Sequence, residues 1–223
     1  MTGTTMLVVA SVAFVGTHFL MSHALRSGMV GALGEKGFAG VYSIVSFLTL
    51  GWMIWAYPMA SAAAPSPYWE VGRAGWAVAA VLMWIGSILF MGSQRRNPAL
   101  PRPGKQILKI DDPSGVFAIT RHPMMWGFAL WAIVHAIVNS TLASLILSFA
   151  IAFLALVGAA MQDRKKEALL GDLWRDWKAK TSFIPYGKGL KSADAFALVT
   201  GTLVWLAATW LHNPPVGVWA FFG

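Results

Sequence analysis

The sequence predicts an all-α integral membrane protein with about six transmembrane helices and one cytoplasmic amphipathic helix. Three observations lead to this prediction. The chain is 57% hydrophobic and only 12% charged, whereas a typical soluble domain carries about 25% charged residues. Its apolar residues are gathered into runs that approach the ~20 residues a helix needs to cross a bilayer. Its 17 basic residues lie almost wholly in the connections between those runs.

Six segments qualify as spans, within a single domain that covers residues 1–223. Their predicted limits are 4–24, 39–60, 74–92, 123–139, 142–161 and 195–212. The first has no basic residue before its apolar run, so we expect a retained helix rather than a secretory signal. Only three residues separate the fourth span from the fifth. This predicts a tight antiparallel hairpin, with Asn139 ending one helix and Ser140 or Thr141 capping the next.

The connections between the spans set the predicted orientation. Basic residues concentrate in 25–37, 93–122 and 162–194, whereas the other connections hold only Glu70 and Arg73. The positive-inside rule places the three basic connections in the cytoplasm and both termini outside. The net charge of +8 therefore indicates membrane orientation and contact with lipid, and no nucleic acid is expected as a partner.

Two of the basic connections differ in their predicted structure. The 93–122 connection is not one long helix, because it contains four prolines: Pro98, Pro101, Pro103 and Pro113. The 163–180 stretch has apolar residues at helical spacing among charges, which predicts an amphipathic helix lying on the inner leaflet. Those apolar residues are Leu169, Leu170, Leu173, Trp174 and Trp177.

Histidine is the one ionisable residue type that falls inside the predicted spans away from their ends. Intramembrane ionisable residues often mark a functional site. His18 shares an i, i+4 stripe with Phe14, Ser22 and Arg26. In that stripe Ser22 would orient the imidazole and Arg26 would hold an anionic group. The alternative is that His18 hydrogen-bonds a neighbouring helix and Arg26 reaches lipid phosphate.

Two further positions carry histidines of interest. His135 follows Trp131 on one helical stripe, which suits the edge of a flat apolar cofactor; the alternative is a hydrogen-bonded histidine at a helix contact. Arg121 and His122 precede Pro123, which fits the first position of a helix. They are therefore expected at a helix N-terminus, where anions bind, unless they are ordinary interfacial residues that meet lipid phosphates.

The ligand types point to haem. The chain has no cysteine, and two imidazoles in an apolar interior fit haem better than zinc, which takes three or four protein ligands. His122 and His135 are 13 residues apart, about 20 Å along a helix, so they do not share one iron. A two-histidine site must therefore include His18, paired with either His135 or His122.

The motifs resemble, in order, those of the NnrU family of bacterial membrane proteins. The resemblance covers most of the chain, and the matching motifs are His18/Ser22/Arg26, Gly34-Glu35, Arg121-His122-Pro123, Trp131 with His135, and Asp163-Arg164 leading to Thr181-Ser182 and Pro185. It implies an inner-membrane protein linked to nitric oxide and nitrite reduction in denitrification. The family is similar to plastid zeta-carotene isomerases, which use haem b to isomerise a cis double bond. That similarity implies haem b on His18 and His135.

The C-terminal half also resembles the isoprenylcysteine carboxyl methyltransferase superfamily. That resemblance implies S-adenosylmethionine at the cytoplasmic face, bound by Arg121, His122, Gly171, Trp174, Trp177 and Pro185. The chain departs from the superfamily pattern, with Met125 in place of a tyrosine, Gln162-Asp163 in place of glutamates, and tryptophans in place of two tyrosines.

Three functions therefore remain open, and no catalytic residue is assigned. The first is a haem-binding protein, either a cis-trans isomerase of an apolar small-molecule substrate or a support for nitrogen-oxide reductase components. The second is a methyltransferase that uses S-adenosylmethionine. The third is a non-catalytic membrane factor that assists assembly of a partner complex.

Overall fold

The computed structural model of this protein describes residues 1–100, 107–212, 214 and 216–221, and all regular structure in these residues is helical. Arg102, Lys105, Pro101 and Pro103 of the predicted basic connection lie outside them. The elements are α1 (Gly3–Phe19), a π-helical segment (Leu20–Ala24), α2 (Arg26–Ala63), α3 (Arg73–Gly92), α4 (Val116–Ile119), α5 (Pro123–Val138), α6 (Leu142–Leu170), α7 (Asp172–Lys180), α8 (Ala195–Trp210) and a 3₁₀ turn (Gly217–Phe221).

Four of these helices are long and apolar enough to cross a membrane. They are α1 with the π-helical segment, α2, α3 and α6. The helices α5 and α8 are apolar but have 16 residues each, about 24 Å at 1.5 Å per residue, somewhat less than a ~30 Å hydrocarbon core. The all-helical architecture is thus confirmed for the described residues, with four candidate membrane spans, and the count of six stays a prediction.

The long helices pack in the order α8, α3, α5, α6, with α1 against α6 and α2 against α1. Successive helices reverse direction, so the π-helical segment, the C-terminal ends of α3 and α6, and the N-terminal ends of α5 and α8 meet at one end of the bundle. The basic connections lie at this end, which is termed the basic end below. The functional side chains described in the next subsection gather there.

The α5–α6 hairpin forms as the sequence predicts. Helix α5 ends at Val138, and the side chain of Thr141 caps α6 by accepting a hydrogen bond from the Ser144 N–H at 3.4 Å. Ser140 is used differently: its hydroxyl accepts from the Trp69 N–H at 2.9 Å and donates to the Trp69 carbonyl at 2.6 Å. Ser140 therefore fastens the α2–α3 connection to the hairpin.

Helix α2 is longer than the predicted 39–60 span, because residues of the 25–37 connection are helical too. The helix is kinked at Gly34, which has φ 68° and ψ 169°, a conformation open mainly to glycine. A straight helix would separate residues nine positions apart by about 13.5 Å along its axis. The kink instead lets the Arg26 guanidinium reach both carboxylate oxygens of Glu35, at 3.0 and 3.1 Å.

The predicted amphipathic helix over 163–180 is divided into two parts. Residues up to Leu170 continue α6, and the chain turns at Gly171, with φ 55°, before α7 begins. The apolar face of α7 packs against protein: Trp174 and Trp177 are 0% and 4% exposed and belong to a core cluster with Val116 and Phe117. These tryptophans therefore contribute to folding at the basic end, whereas the sequence placed them on the lipid surface.

Gly201 offers a test of this packing, because it lets α8 approach α3 closely. A Cβ at Gly201 would lie 2.5 Å from the Ile88 Cα and 2.8 Å from its nitrogen. Backbone cannot move aside as a flexible side chain does, so we expect Gly201→Ala to destabilise the protein by about 1–3 kcal/mol. Thermal unfolding of the detergent-purified protein measures this. The matched control is Gly51→Ala on the exposed face of α2, where a Cβ meets nothing within 4 Å. Equal unfolding temperatures for the two variants would contradict the close contact.

Candidate functional site

His18 lies near the C-terminal end of α1 with its imidazole held in one orientation. Its Nδ1 is 2.7 Å from the carbonyl oxygen of Phe14. Because a carbonyl can only accept, Nδ1 donates, and the neutral ring keeps its lone pair on Nε2. The ring also contacts the Phe14 and Tyr42 rings, with centroids 4.4 and 5.4 Å apart. The structure therefore presents His18 as an oriented ligand whose Nε2 is the available nitrogen.

The π-helical segment that follows α1 changes which residues share the His18 face. In an α-helix His23 would not align with His18, because neighbours on one face are three or four positions apart. A π-helix bonds each residue to the one five positions on, and such segments are frequent at functional sites. Here His18, Ser22 and His23 all line one cavity. His23 was not predicted as a site residue, because the π-helical segment leaves no recognisable pattern in the sequence.

This cavity, termed the His18 cavity, has a volume of about 420 Å³, within the 300–1,000 Å³ typical of small-molecule sites. It lies between α1, α2, α5 and α6. Its walls are mostly apolar, with aromatic rings near His18 and few polar groups elsewhere. The wall residues include Phe14, Phe19, Tyr42, Leu50, Met125, Phe128, Ile151, Leu154 and Gln162.

At the basic end the His18 cavity adjoins a second cavity of about 450 Å³, termed the basic vestibule. The two share Ser22, His23 and Lys165 in their walls. The remaining vestibule walls are Arg26, Ser27, Met161, Arg164, Ala168 and Leu169. Four of the nine wall residues are basic and none is acidic. An apolar chamber with one oriented imidazole thus opens towards a positively charged mouth.

A second cluster surrounds the buried carboxylate of Asp163 in α6. Its Oδ1 accepts from His122 Nε2 at 2.9 Å and from Trp174 Nε1 at 3.3 Å, and its Oδ2 accepts from Arg121 Nε at 2.7 Å. Asp163 is 6% exposed and His122 is 2% exposed. The sequence analysis did not identify this partner for His122, because Asp163 is 41 positions away along the chain.

Arg121 and His122 are therefore committed to internal contacts. The Arg121 N–H donates to the Ser182 carbonyl at 2.8 Å, and its guanidinium lies over the Phe183 ring at 5.4 Å. His122 Nδ1 has no hydrogen-bond partner among the described residues. The pocket that both residues line has a volume of about 10 Å³, room for about one water. The predicted anion or S-adenosylmethionine site at Arg121 and His122 stays a prediction.

Ion pairs fasten α7 over this cluster. Lys178 Nζ donates to Glu167 at 2.8 Å, which ties α7 back to the end of α6. Lys180 Nζ donates to Asp112 at 2.6 Å. This hydrogen bond holds the pKa of the Asp112 carboxyl below its usual value. The two pairs join α7 to the end of α6 and to the connection that leads into α4.

His135 lies apart from the His18 cavity. Its Nδ1 donates to the Trp131 carbonyl at 2.7 Å and its ring stacks on Trp131, with centroids 4.1 Å apart. The His212 ring is 6.3 Å away. His135 is not among the residues that line the His18 cavity. Its own lone pair is on Nε2, as in His18, but the pairing of these two imidazoles on one iron stays a prediction.

Of the six predicted binding residues, three meet at one site. His18, Ser22 and Arg26 line the joined cavities, although the Phe14 carbonyl, and not Ser22, orients the His18 ring. Arg121 and His122 meet each other at Asp163, and His135 is elsewhere. Lys165, Tyr42 and Gln162 were missed, since each joins the site through tertiary packing that has no local sequence signal. Among the described residues, no three histidine or acidic side chains gather as a metal site.

The Asp163 cluster predicts a large stability loss when its carboxylate is removed. Asp163→Ala would leave the Arg121 guanidinium buried without its partner, and breaking such a pair costs about 3–5 kcal/mol. Asp163→Asn should lose less, because an amide oxygen still accepts a hydrogen bond. Denaturation in mixed micelles measures both. The control is Asp172→Asn, which removes an exposed pair with Arg175 and should leave stability unchanged. If Asp163→Ala matched that control, the cluster would not be a structural centre.

Comparison with known proteins gives a family and no closer relative. No curated protein and no solved structure matches the chain significantly. A family model described as NnrU protein matches residues 6–220, which include most of α1, all of α2 to α8 and both clusters. The match confirms the resemblance inferred from the ordered motifs, and the chain belongs to the NnrU family.

Proposed function

We propose that this protein binds haem b in the His18 cavity, with the Nε2 of His18 as an iron ligand. One observation carries the proposal: an imidazole fixed through Nδ1 presents its free nitrogen in an apolar cavity of about 420 Å³. Metal-ligating histidines typically donate their second ring nitrogen to a carbonyl or carboxylate, which fixes the tautomer. Haem accepts a histidine as an axial ligand.

The donor set and the cavity fit haem better than a bare metal ion. A structural or catalytic zinc takes three or four protein ligands, whereas the cavity walls offer only His18 and His23 as imidazoles and no carboxylate. Flat apolar walls with Phe14, Tyr42 and Phe128 suit a planar ring. We keep His135 as the second candidate ligand, and its role is tested separately below.

Bound haem would supply a redox-active iron in an apolar, water-poor site, and the chain would supply the ligand, access and surroundings. His18 would hold the iron, with its ring oriented by the Phe14 carbonyl, and the side chains of α1, α5 and α6 that line the cavity would limit access of water. Two uses follow from the family's similarities: isomerisation of an apolar polyene-like substrate, or support of nitric oxide and nitrite reduction.

The haem proposal predicts a Soret band in the detergent-purified protein, shifted on reduction. His18→Ala should abolish the band or lower haem affinity by at least about tenfold, because it removes the ligand nitrogen. His212→Ala is the matched control, since His212 is exposed and bonds only its own helix. Absorption spectra of haem-loaded protein, oxidised and reduced, make the measurement.

His135→Ala decides whether two histidines share the iron. A second axial ligand would leave a spectral change in the oxidised protein when His135 is removed, whereas an unrelated His135 would leave the spectrum unchanged. Absence of haem binding in the wild-type protein, under conditions in which it remains folded, would refute the proposal.

We also propose that the basic end faces the cytoplasm of the bacterial inner membrane, with both termini in the periplasm. The support is charge: all 17 basic residues except Arg73 lie in the three basic connections. Because the chain has no cysteine, single cysteines report orientation. In spheroplasts, an impermeant maleimide should label Ser66→Cys and spare Ser192→Cys, both at exposed positions. The reverse labelling would overturn the orientation.

A further inference from the structure

The basic vestibule has more positive charge than its surroundings neutralise. Arg26 is paired with Glu35 at 3.0 Å. Among the described residues, no carboxylate lies within ion-pair distance of His23, Arg164 or Lys165, as the ion pairs show. Lys165 is half-buried, and the positive charge of Arg26 repels its ammonium group. A partly buried cation with a like-charged neighbour is costly unless an anion joins it.

The position of Lys165 distinguishes it from a cation that only reaches for lipid phosphate. A lysine that snorkels keeps its ammonium in the headgroup region and its stem along the lipid-facing surface. Lys165 instead lines both the basic vestibule and the apolar His18 cavity. Its ammonium is thus available to a molecule whose apolar part lies in the His18 cavity.

We propose that the basic vestibule binds the carboxylate end of a ligand whose apolar body occupies the His18 cavity, with Lys165 as the central contact. The ligand is an amphiphile that enters from the basic end. This inference rests on the proposed function for the identity of the apolar part of the ligand. The contact proposed in the vestibule is made with the carboxylate and does not involve iron. Two sources share this chemistry: the propionates of a tetrapyrrole and the carboxylate of a fatty acid.

Metal-free protoporphyrin IX and its dimethyl ester separate carboxylate recognition from iron ligation. The full chain in phosphatidylcholine nanodiscs is titrated with each, and binding is followed by porphyrin fluorescence. We expect the acid to bind at least about tenfold more tightly than the ester, since one charge-assisted contact of about 1.4 kcal/mol gives that factor. Equal affinities would overturn the proposal, as would failure of both to bind.

Variants locate the effect. Lys165→Met should bind the acid and the ester with about equal affinity, whereas Lys165→Arg should keep most of the preference for the acid. Lys191→Met, which removes an exposed lysine outside the vestibule, should keep all of it. An unchanged preference in Lys165→Met would overturn the role of Lys165.

The fatty-acid source is tested by competition. Oleate that displaces protoporphyrin far better than methyl oleate would support a carboxylate site that accepts lipid. Displacement by neither would support the tetrapyrrole as the occupant. If haem fails to give a Soret band while the acid still outcompetes the ester, the proposed function fails and the vestibule proposal stands. If haem gives a Soret band that is lost in His18→Ala, but the acid binds no more tightly than the ester, the proposed function stands and the vestibule proposal fails.

Discussion

The carboxylate of Asp163 is the interaction on which the arrangement of the basic end depends. It is almost fully buried, and its charge is tolerated because Arg121, His122 and Trp174 all donate to it. These donors come from the start of α5 and from α7, so one charge fixes where three helices meet. Lys165 lies two positions after Asp163 in α6. Because each helical residue turns the chain by about 100°, the Lys165 side chain points about 200° away from that of Asp163. The same segment of α6 therefore faces a satisfied cluster on one side and the cavities on the other.

Two departures from regular α-helix shape the other wall of the cavities. The π-helical segment brings His23 and Ser22 into the wall below His18. The kink at Gly34 turns the start of α2 back, so that Glu35 neutralises Arg26 and leaves the neighbouring cations without a carboxylate. Irregular backbone inside a membrane protein is tolerated where it lines a cavity or is buried in protein. The π-helical segment lines both cavities, and the kink brings Glu35 to Arg26 in the wall of the basic vestibule.

The membrane helices could be predicted from the hydropathy of the sequence. A long apolar segment in lipid must satisfy its own backbone hydrogen bonds, and a helix does so. Helices α1, α3 and α6 and the Thr141 cap follow from local pattern, and so does the placement of His18 on an inward face. The pairing of His122 with Asp163 could not be predicted, since the two are distant in sequence and charge alone does not select partners. Trp174 and Trp177 have the spacing of a lipid-facing helix, and only the turn at Gly171 directs them into the core.

The two charged clusters differ in whether their charges are matched by partners within the described residues. In the Asp163 cluster the carboxylate accepts from an arginine, an imidazole and an indole, so its charge is matched within the chain, and the pocket beside it is about 10 Å³. In the basic vestibule, Arg164 and Lys165 face a volume of about 450 Å³ with no carboxylate within ion-pair distance among the described residues. A cluster whose charges are matched within the protein stabilises the fold. A cluster with unmatched cations is stabilised only when an anion binds. Because these unmatched cations adjoin an oriented imidazole in an apolar cavity, the ligand that we propose for the site has an anionic end and an apolar body.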